Sequence, residues 1–116
     1  MKVLLLTPAP AETFPGPFAT VSRYREGLQR CGHLCEVFGA TNEGELKQSL
    51  AGTIGRFRPD IVHAHDAAAM GLQLLGLRTP WVVSLGGEDL HVKMTEPVQG
   101  PLVCEVLRRA HRVLAP

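Results

Sequence analysis

An α/β domain with a doubly wound parallel sheet is the fold class this sequence predicts, and three observations predict it. Short apolar runs recur along the chain at Lys2–Thr7, Leu34–Phe38, Ile61–His65, Trp81–Leu85 and Arg112–Ala115. Stretches with a helical apolar period separate them. Runs such as Val3–Leu6 are apolar without alternation, which suits strands covered on both faces. Strands alternating with helices give a parallel sheet with right-handed crossovers, here of about five strands.

Each element has its own signal. Lys2–Thr7 reads as the first strand, followed by a loop from Pro8 to Pro17 that also holds Pro10, Pro15 and Gly16. Phe18, Val21, Arg25, Leu28 and Cys31 then fall near a 3.6 period, and Gly32 ends that helix. Leu34–Phe38 is the second strand. Asn42 and Glu45 make a capping-box arrangement before a stripe of Leu46, Leu50, Ile54 and Phe57, which Gly52 and Gly55 weaken. Arg58-Pro59-Asp60 stops this second helix, because a residue before proline is pushed out of the α region.

Ile61–His65 is too short for a helix and rich in β-branched side chains, hence a third strand. Asp66 is placed to cap a helix in which Met70 and Leu74 share a face and Gly71 allows close packing. Thr79-Pro80 ends that unit. Trp81–Leu85 is the fourth strand, terminated by Gly86-Gly87-Glu88-Asp89. Leu90 to Gly100 shows no period and reads as a loop. Pro101 suits a first helical position, with Leu102, Val103, Val106, Leu107 and Ala110 as the apolar face. Arg112–Ala115 begins the fifth strand.

The bulk numbers bound the function. A chain of 116 residues supports one domain, and 45% hydrophobic with 5% aromatic residues suits an aliphatic core. A net charge of +1 gives no reason to expect nucleic acid, and Arg108, Arg109 and Arg112 read as a solvated helix face. The three cysteines, Cys31, Cys35 and Cys104, are odd in number and fit a reducing compartment. Neither a signal peptide nor a run of about 20 apolar residues is evident. A cytoplasmic location is expected, with peripheral contact to the inner face of a membrane left open.

Candidate chemistry concentrates where strands end. In open α/β sheets ligands bind beyond the carboxyl ends of the strands. Arg58–Asp66 delivers His63, His65 and Asp66 to such an end, with both imidazoles on one face of the strand. A His-x-His pair can chelate a metal, and it can equally be a pair of core histidines. Gly86, Gly87, Glu88 and Asp89 form a second edge motif, in which Glu88 or Asp89 acts as a base or binds sugar hydroxyls, or the acids simply cap the next segment. The Pro8–Pro17 loop lacks both G-x-G-x-x-G and G-x-x-x-x-G-K-[ST], and its prolines donate no N–H, so neither a dinucleotide fingerprint nor a Walker-type ATPase is expected. Gly16 still permits close backbone approach to a phosphate. Cys31, His33 and Cys35 lack zinc-finger spacing and read as ordinary thiols beside a turn histidine.

Taken together, these motifs resemble the N-terminal half of GT-B retaining glycosyltransferases of the group 1 or family 4-like type, which includes glycogen synthases. Lys2–Pro8 is similar to their opening strand and loop, and Cys31–Val37 to their turn G-H-x-V-x-V, which makes His33 structural. Arg58–Asp66 resembles x-P-D-I-V-H-A-H-D, Pro80–Leu90 resembles P-x-V-x-S-x-H-G-x-D-L, and Leu107–Pro116 resembles R-x-A-D-x-V-x-A-x-S. The resemblance spans nearly the whole chain in order.

It implies transfer of a sugar from a nucleotide-sugar donor to a sugar or lipid acceptor, with no cofactor and no required metal. The acceptor would bind mainly to this domain and the donor to a C-terminal domain. His65 and Asp89 are then the catalytic candidates. Gly16, His65, Asp66, Gly86, Gly87, Glu88 and Asp89 are the substrate-binding candidates. Gly16 is followed by Pro17 where paired glycines are common, and Gly86 stands where the family often has histidine. Residues 1–116 therefore read as a single, apparently truncated acceptor-side domain, inactive without a C-terminal domain or partner subunit and prone to self-association. A non-catalytic Rossmann-like binding module or one subunit of a split glycosyltransferase is the alternative. A receiver or flavodoxin-like domain is disfavoured, because no acidic pair follows the first strand.

Overall fold

The computed structural model describes residues 1–7, 17–39, 43–67, 70–85 and 95–114. Five strands form one parallel sheet: β1 (Lys2–Thr7), β2 (Leu34–Gly39), β3 (Ile61–Ala64), β4 (Trp81–Ser84) and β5 (Arg112–Leu114), in the order β2-β1-β3-β4-β5. Helices α1 (Pro17–Arg30), α2 (Glu43–Phe57) and α3 (Gln99–Arg109) connect them, together with a 3-10 helix at Gly71–Leu74. The doubly wound α/β class is therefore observed. Many unrelated proteins share this class, so the fold alone selects no activity.

The period-2 alternation of β1 divides the interior in two. Leu4 and Leu6 face Leu50 of α2, Met70 and Leu74 of the 3-10 segment, and Val103 and Val106 of α3. Val3 and Leu5 face the other way, toward Val21 and Leu28 of α1. The first side is the larger core, because β3 and β4 also send Val62, Ala64, Trp81 and Val83 there.

Helix ends follow backbone chemistry. After α1 the His33 N–H bonds the Leu28 carbonyl and the Gly32 N–H bonds the Gln29 carbonyl, both at 3.0 Å, with Gly32 at φ 87°. That is a Schellman closure, which needs a left-handed residue and so favours glycine. α2 ends as expected at Phe57, though by a different device. Arg58 lies at φ 52°, and its N–H bonds the Ile54 carbonyl at 2.9 Å, so a left-handed cap stops the helix where an extended residue was expected. Asp60 then accepts the Lys2 backbone N–H at 2.7 Å and donates its own N–H to the Lys2 carbonyl at 2.8 Å. These two bonds fix the register of β3 against β1.

Several boundaries differ from the sequence reading. β3 and β4 each stop one residue early, at Ala64 and Ser84, and β2 runs one further, to Gly39. Among the described residues, the helix expected after Asp66 is the 3-10 turn, whose cap position is Met70 with no side-chain cap bond. The first residue of that turn is closely packed. A methyl on Gly71 would lie 2.6 Å from Val106 Cγ1 and 3.3 Å from the Asp66 carbonyl oxygen, so only a bare backbone fits there. α3 starts at Gln99, which puts Pro101 third rather than first, still within the turn whose N–H groups need no helical acceptor. Leu102 is mostly outside its buried stripe, which consists of Gly100, Val103 and Val106. The Asn42–Glu45 cap and Ala115 fall outside the residues and side chains described.

Candidate functional site

The chain leaves β1 toward β2 at one edge, then returns to lay β3 on the opposite side of β1. α1 follows β1 on one face, whereas the segment after β3 packs on the other. The switch point where doubly wound domains take ligands therefore lies at the carboxyl ends of β1 and β3. Leu6 and Ala64 are the last residues in register there. Thr7 and His65 come next, and the His65 N–H still bonds the Leu6 carbonyl at 2.9 Å.

The His-x-His spacing places both imidazoles on the α1 side, as strand geometry requires. Their rings stack with centroids 4.1 Å apart and an interplanar angle of 30°. Tyr24 of α1 meets both edge-on, at 5.1 Å from His63 and 5.0 Å from His65. Across the sheet, His63 Nε2 shares a hydrogen bond of 2.7 Å with Ser84 Oγ at the end of β4. His63 is thus buried, ring-packed and bonded, the condition of a structural histidine.

Burial sets the electrostatics. It pushes the His63 imidazole from 6.5 down to about 4. His65 falls to about 4 as well, mainly by burial and secondarily because a charge on His63 would oppose its own. Both rings are therefore neutral at pH 7, and each has one nitrogen able to accept a hydrogen bond.

Two polar atoms at this edge lack partners. Thr7 Oγ1 and His65 Nε2 are buried with no hydrogen bond among the described residues, and Thr7 is fully buried. Both belong to the α1 side of the sheet, Thr7 by its parity with Val3 and Leu5, His65 by its ring contacts. A third such atom, His33 Nδ1, lies in the turn before β2, at the amino edge of the sheet.

Of the residues singled out in sequence, His65 and Asp66 lie at this edge, and the Asp66 carbonyl accepts the Gly71 N–H at 2.8 Å. Gly16, Gly86, Gly87, Glu88 and Asp89 lie outside the described residues. Sequence reasoning missed Thr7, Tyr24 and Ser84. Parity could have found Thr7, which shares a face with Val3 and Leu5, and Ser84, which shares one with Val82. Tyr24 was legible as the third member of a Val21, Tyr24, Leu28 stripe, had Arg25 not been placed there.

Among the described residues no group of three His, Cys, Asp or Glu side chains could hold a metal ion. Cys31 is exposed and Cys35 half-buried, both as free thiols. Among the described residues two clefts are lined. One of about 410 Å³ lies between α2 and the 3-10 segment, lined by Leu50, Ile54, Leu72 and Leu77 among others. The other, of about 420 Å³, runs along α1 past Arg23, Tyr24, Leu28 and Cys31. No described helix is long and apolar enough to cross a membrane. No protein-family model matches the chain, and no characterised protein matches it significantly in sequence.

Proposed function

We propose that this chain is the acceptor-side domain of a glycosyltransferase that moves a sugar from a nucleotide-sugar donor. The carrying observation is the His65 imidazole, neutral and with an unpartnered buried Nε2, at the switch-point edge. A neutral imidazole at this edge can take a hydrogen bond from an acceptor hydroxyl. The ordered likeness of Arg58–Asp66 and Pro80–Leu90 to the GT-B motifs supports the same reading. His63 would hold His65 in place through the ring stack, and Ser84 would hold His63.

The clamp on the donor phosphates would come from a C-terminal domain or partner subunit. A nucleotide sugar with a sugar or lipid acceptor is the substrate pair this reading gives. Gly86, standing where the family often has histidine, favours a second reading, a non-catalytic Rossmann-like module that binds a ligand at the same edge.

Saturation-transfer NMR of the purified chain with a panel of mono- and disaccharides tests the proposal. Sugar signals should saturate with the native chain and lose that response in His65→Ala. Unchanged saturation in His65→Ala overturns His65 as the contact. Turnover of a nucleotide sugar by the wild-type chain alone contradicts the need for a second domain and leaves the non-catalytic module excluded too.

A further inference from the structure

Thr7 is the one polar side chain of β1 beyond Lys2, and it sits at the very end of the strand. Its hydroxyl is fully buried yet has no partner among the described residues, and across the switch point the same is true of His65 Nε2. Folded proteins rarely leave buried polar atoms unpaired, because each keeps the full cost of its lost water. On the same face His63 and Ser84 do satisfy one another. Two orphans on adjacent strands, beside a pair that is satisfied, mark a place made for a partner that is not part of the protein.

The chemistry of the two atoms narrows that partner. A threonine hydroxyl both donates and accepts, while a neutral imidazole nitrogen does one or the other according to tautomer. A ligand hydroxyl answers either arrangement, since it donates to one atom and accepts from the other. A phosphate or carboxylate would need both protein atoms as donors and would want a cation close by. Arg56, Arg108 and Arg109 are held in ion pairs with Glu36 and Glu105, and among the described residues no cation is hydrogen-bonded to either orphan atom. Burial also keeps His65 uncharged at neutral pH, which removes any electrostatic pull on an anion.

We infer that Thr7 Oγ1 and His65 Nε2 form a two-point cradle for one hydroxyl of an uncharged sugar, with Thr7 a specificity-determining contact. This rests on the sugar-acceptor reading of the same edge and adds Thr7, which that reading does not require.

The test is a titration of the isotope-labelled chain followed by NMR at the Thr7 methyl and the His65 ring, using methyl glycosides, myo-inositol and inorganic phosphate as probes. At least one uncharged polyol should shift both signals saturably, and Thr7→Val should weaken that binding about tenfold or more, the usual loss when a hydrogen-bonding site is left without its match. Thr7→Ser should restore most of it. Without ligand, Thr7→Val should melt no lower than wild type, since it removes an unpaired buried hydroxyl.

Four outcomes overturn the inference. Phosphate shifts both signals and the polyols do not. Polyols bind Thr7→Val as tightly as wild type while His65→Ala loses them, in which case the acceptor reading stands and Thr7 alone is wrong. Thr7→Val melts clearly below wild type, which means the hydroxyl was satisfied internally or by a fixed water. No polyol shifts any residue of the chain, and the acceptor reading then falls together with the cradle.

Discussion

The two faces of the sheet are made from alternate residues of the same strands, yet they are built to different standards. On the α2 and α3 side, Leu4, Leu6, Val62, Ala64, Trp81 and Val83 meet Met70, Leu74, Val103 and Val106 in one apolar mass. On the α1 side the buried apolar residues among those described are Val3, Leu5 and Val21, and the neighbouring strand offers His63 and His65. Stability is concentrated on one face and polar chemistry on the other. A single residue's shift in strand register would exchange the two roles, so the bonds that pin β3 to β1 at Asp60 and His65 protect the site as well as the fold.

If the faces differ in this way, truncating a leucine should cost more on the first than on the second. Leu5 and Leu6 are consecutive and both fully buried, so they make a matched pair. Leu6→Ala should cost about 3–5 kcal/mol, near the top of the range for a cavity in a well-packed core. Leu5→Ala should cost about 2–3 kcal/mol, since among the described residues its face carries the smaller apolar cluster. Chemical denaturation at pH 7 measures both. Equal losses would mean that the two faces are packed alike.

Acid should act on the α1 face alone. His63 and His65 hold their protons off until about pH 4 in the folded chain, while an unfolded histidine takes one near 6.5. As pH falls through that window the unfolded state binds more protons, so stability declines from pH 6.5 to about 4 and is complete above 6.5. Each unit of pKa difference is about 1.4 kcal/mol per group, and the partial exposure of His65 lowers its share, so the pair should cost about 2–3 kcal/mol between pH 7 and pH 5. Most carboxylates titrate below that interval, which isolates the imidazoles. A flat stability profile from pH 7 to pH 5, by urea denaturation, would show the rings to be solvated.

The contrast between faces also explains what could be read in the sequence. Val3–Leu6 and Ile61–Val62 announced their strands because unbroken apolar runs have one reading when bounded by turn residues. His63 and His65 were legible as a same-face pair because strand parity is geometric. Their separation into a bonded ring and an open one was not, because it depends on Ser84, which approaches from 21 residues away through the β3–β4 pairing. Thr7 was passed over for a similar reason. Threonine ends many strands, and only its burial without a partner distinguishes this one. The segment after Asp66 misled because Met70 and Leu74 have a helical spacing that a single 3-10 turn also satisfies, and the tight seat of Gly71 against Val106 is a tertiary fact.

The smallest effect discriminates most finely within the polar face. Ser84→Ala removes the partner of His63 and leaves a buried nitrogen unpaired, which should cost about 1–2 kcal/mol because Ser84 itself is only half-buried. A hydrogen bond matters to stability mainly through the partner stranded when it is cut, so the loss should depend on the imidazole being there. In a His63→Phe background no nitrogen is left to strand, and the same Ser84→Ala change should cost nearly nothing. The double-mutant cycle, read by urea denaturation at pH 7, gives the coupling directly. An identical loss in both backgrounds would mean that Ser84 contributes through something other than His63. The imidazole stack would then owe its position to Tyr24 and the strand backbone alone, and the His63–Ser84 bond would not be what separates a structural ring from a ligand-facing one.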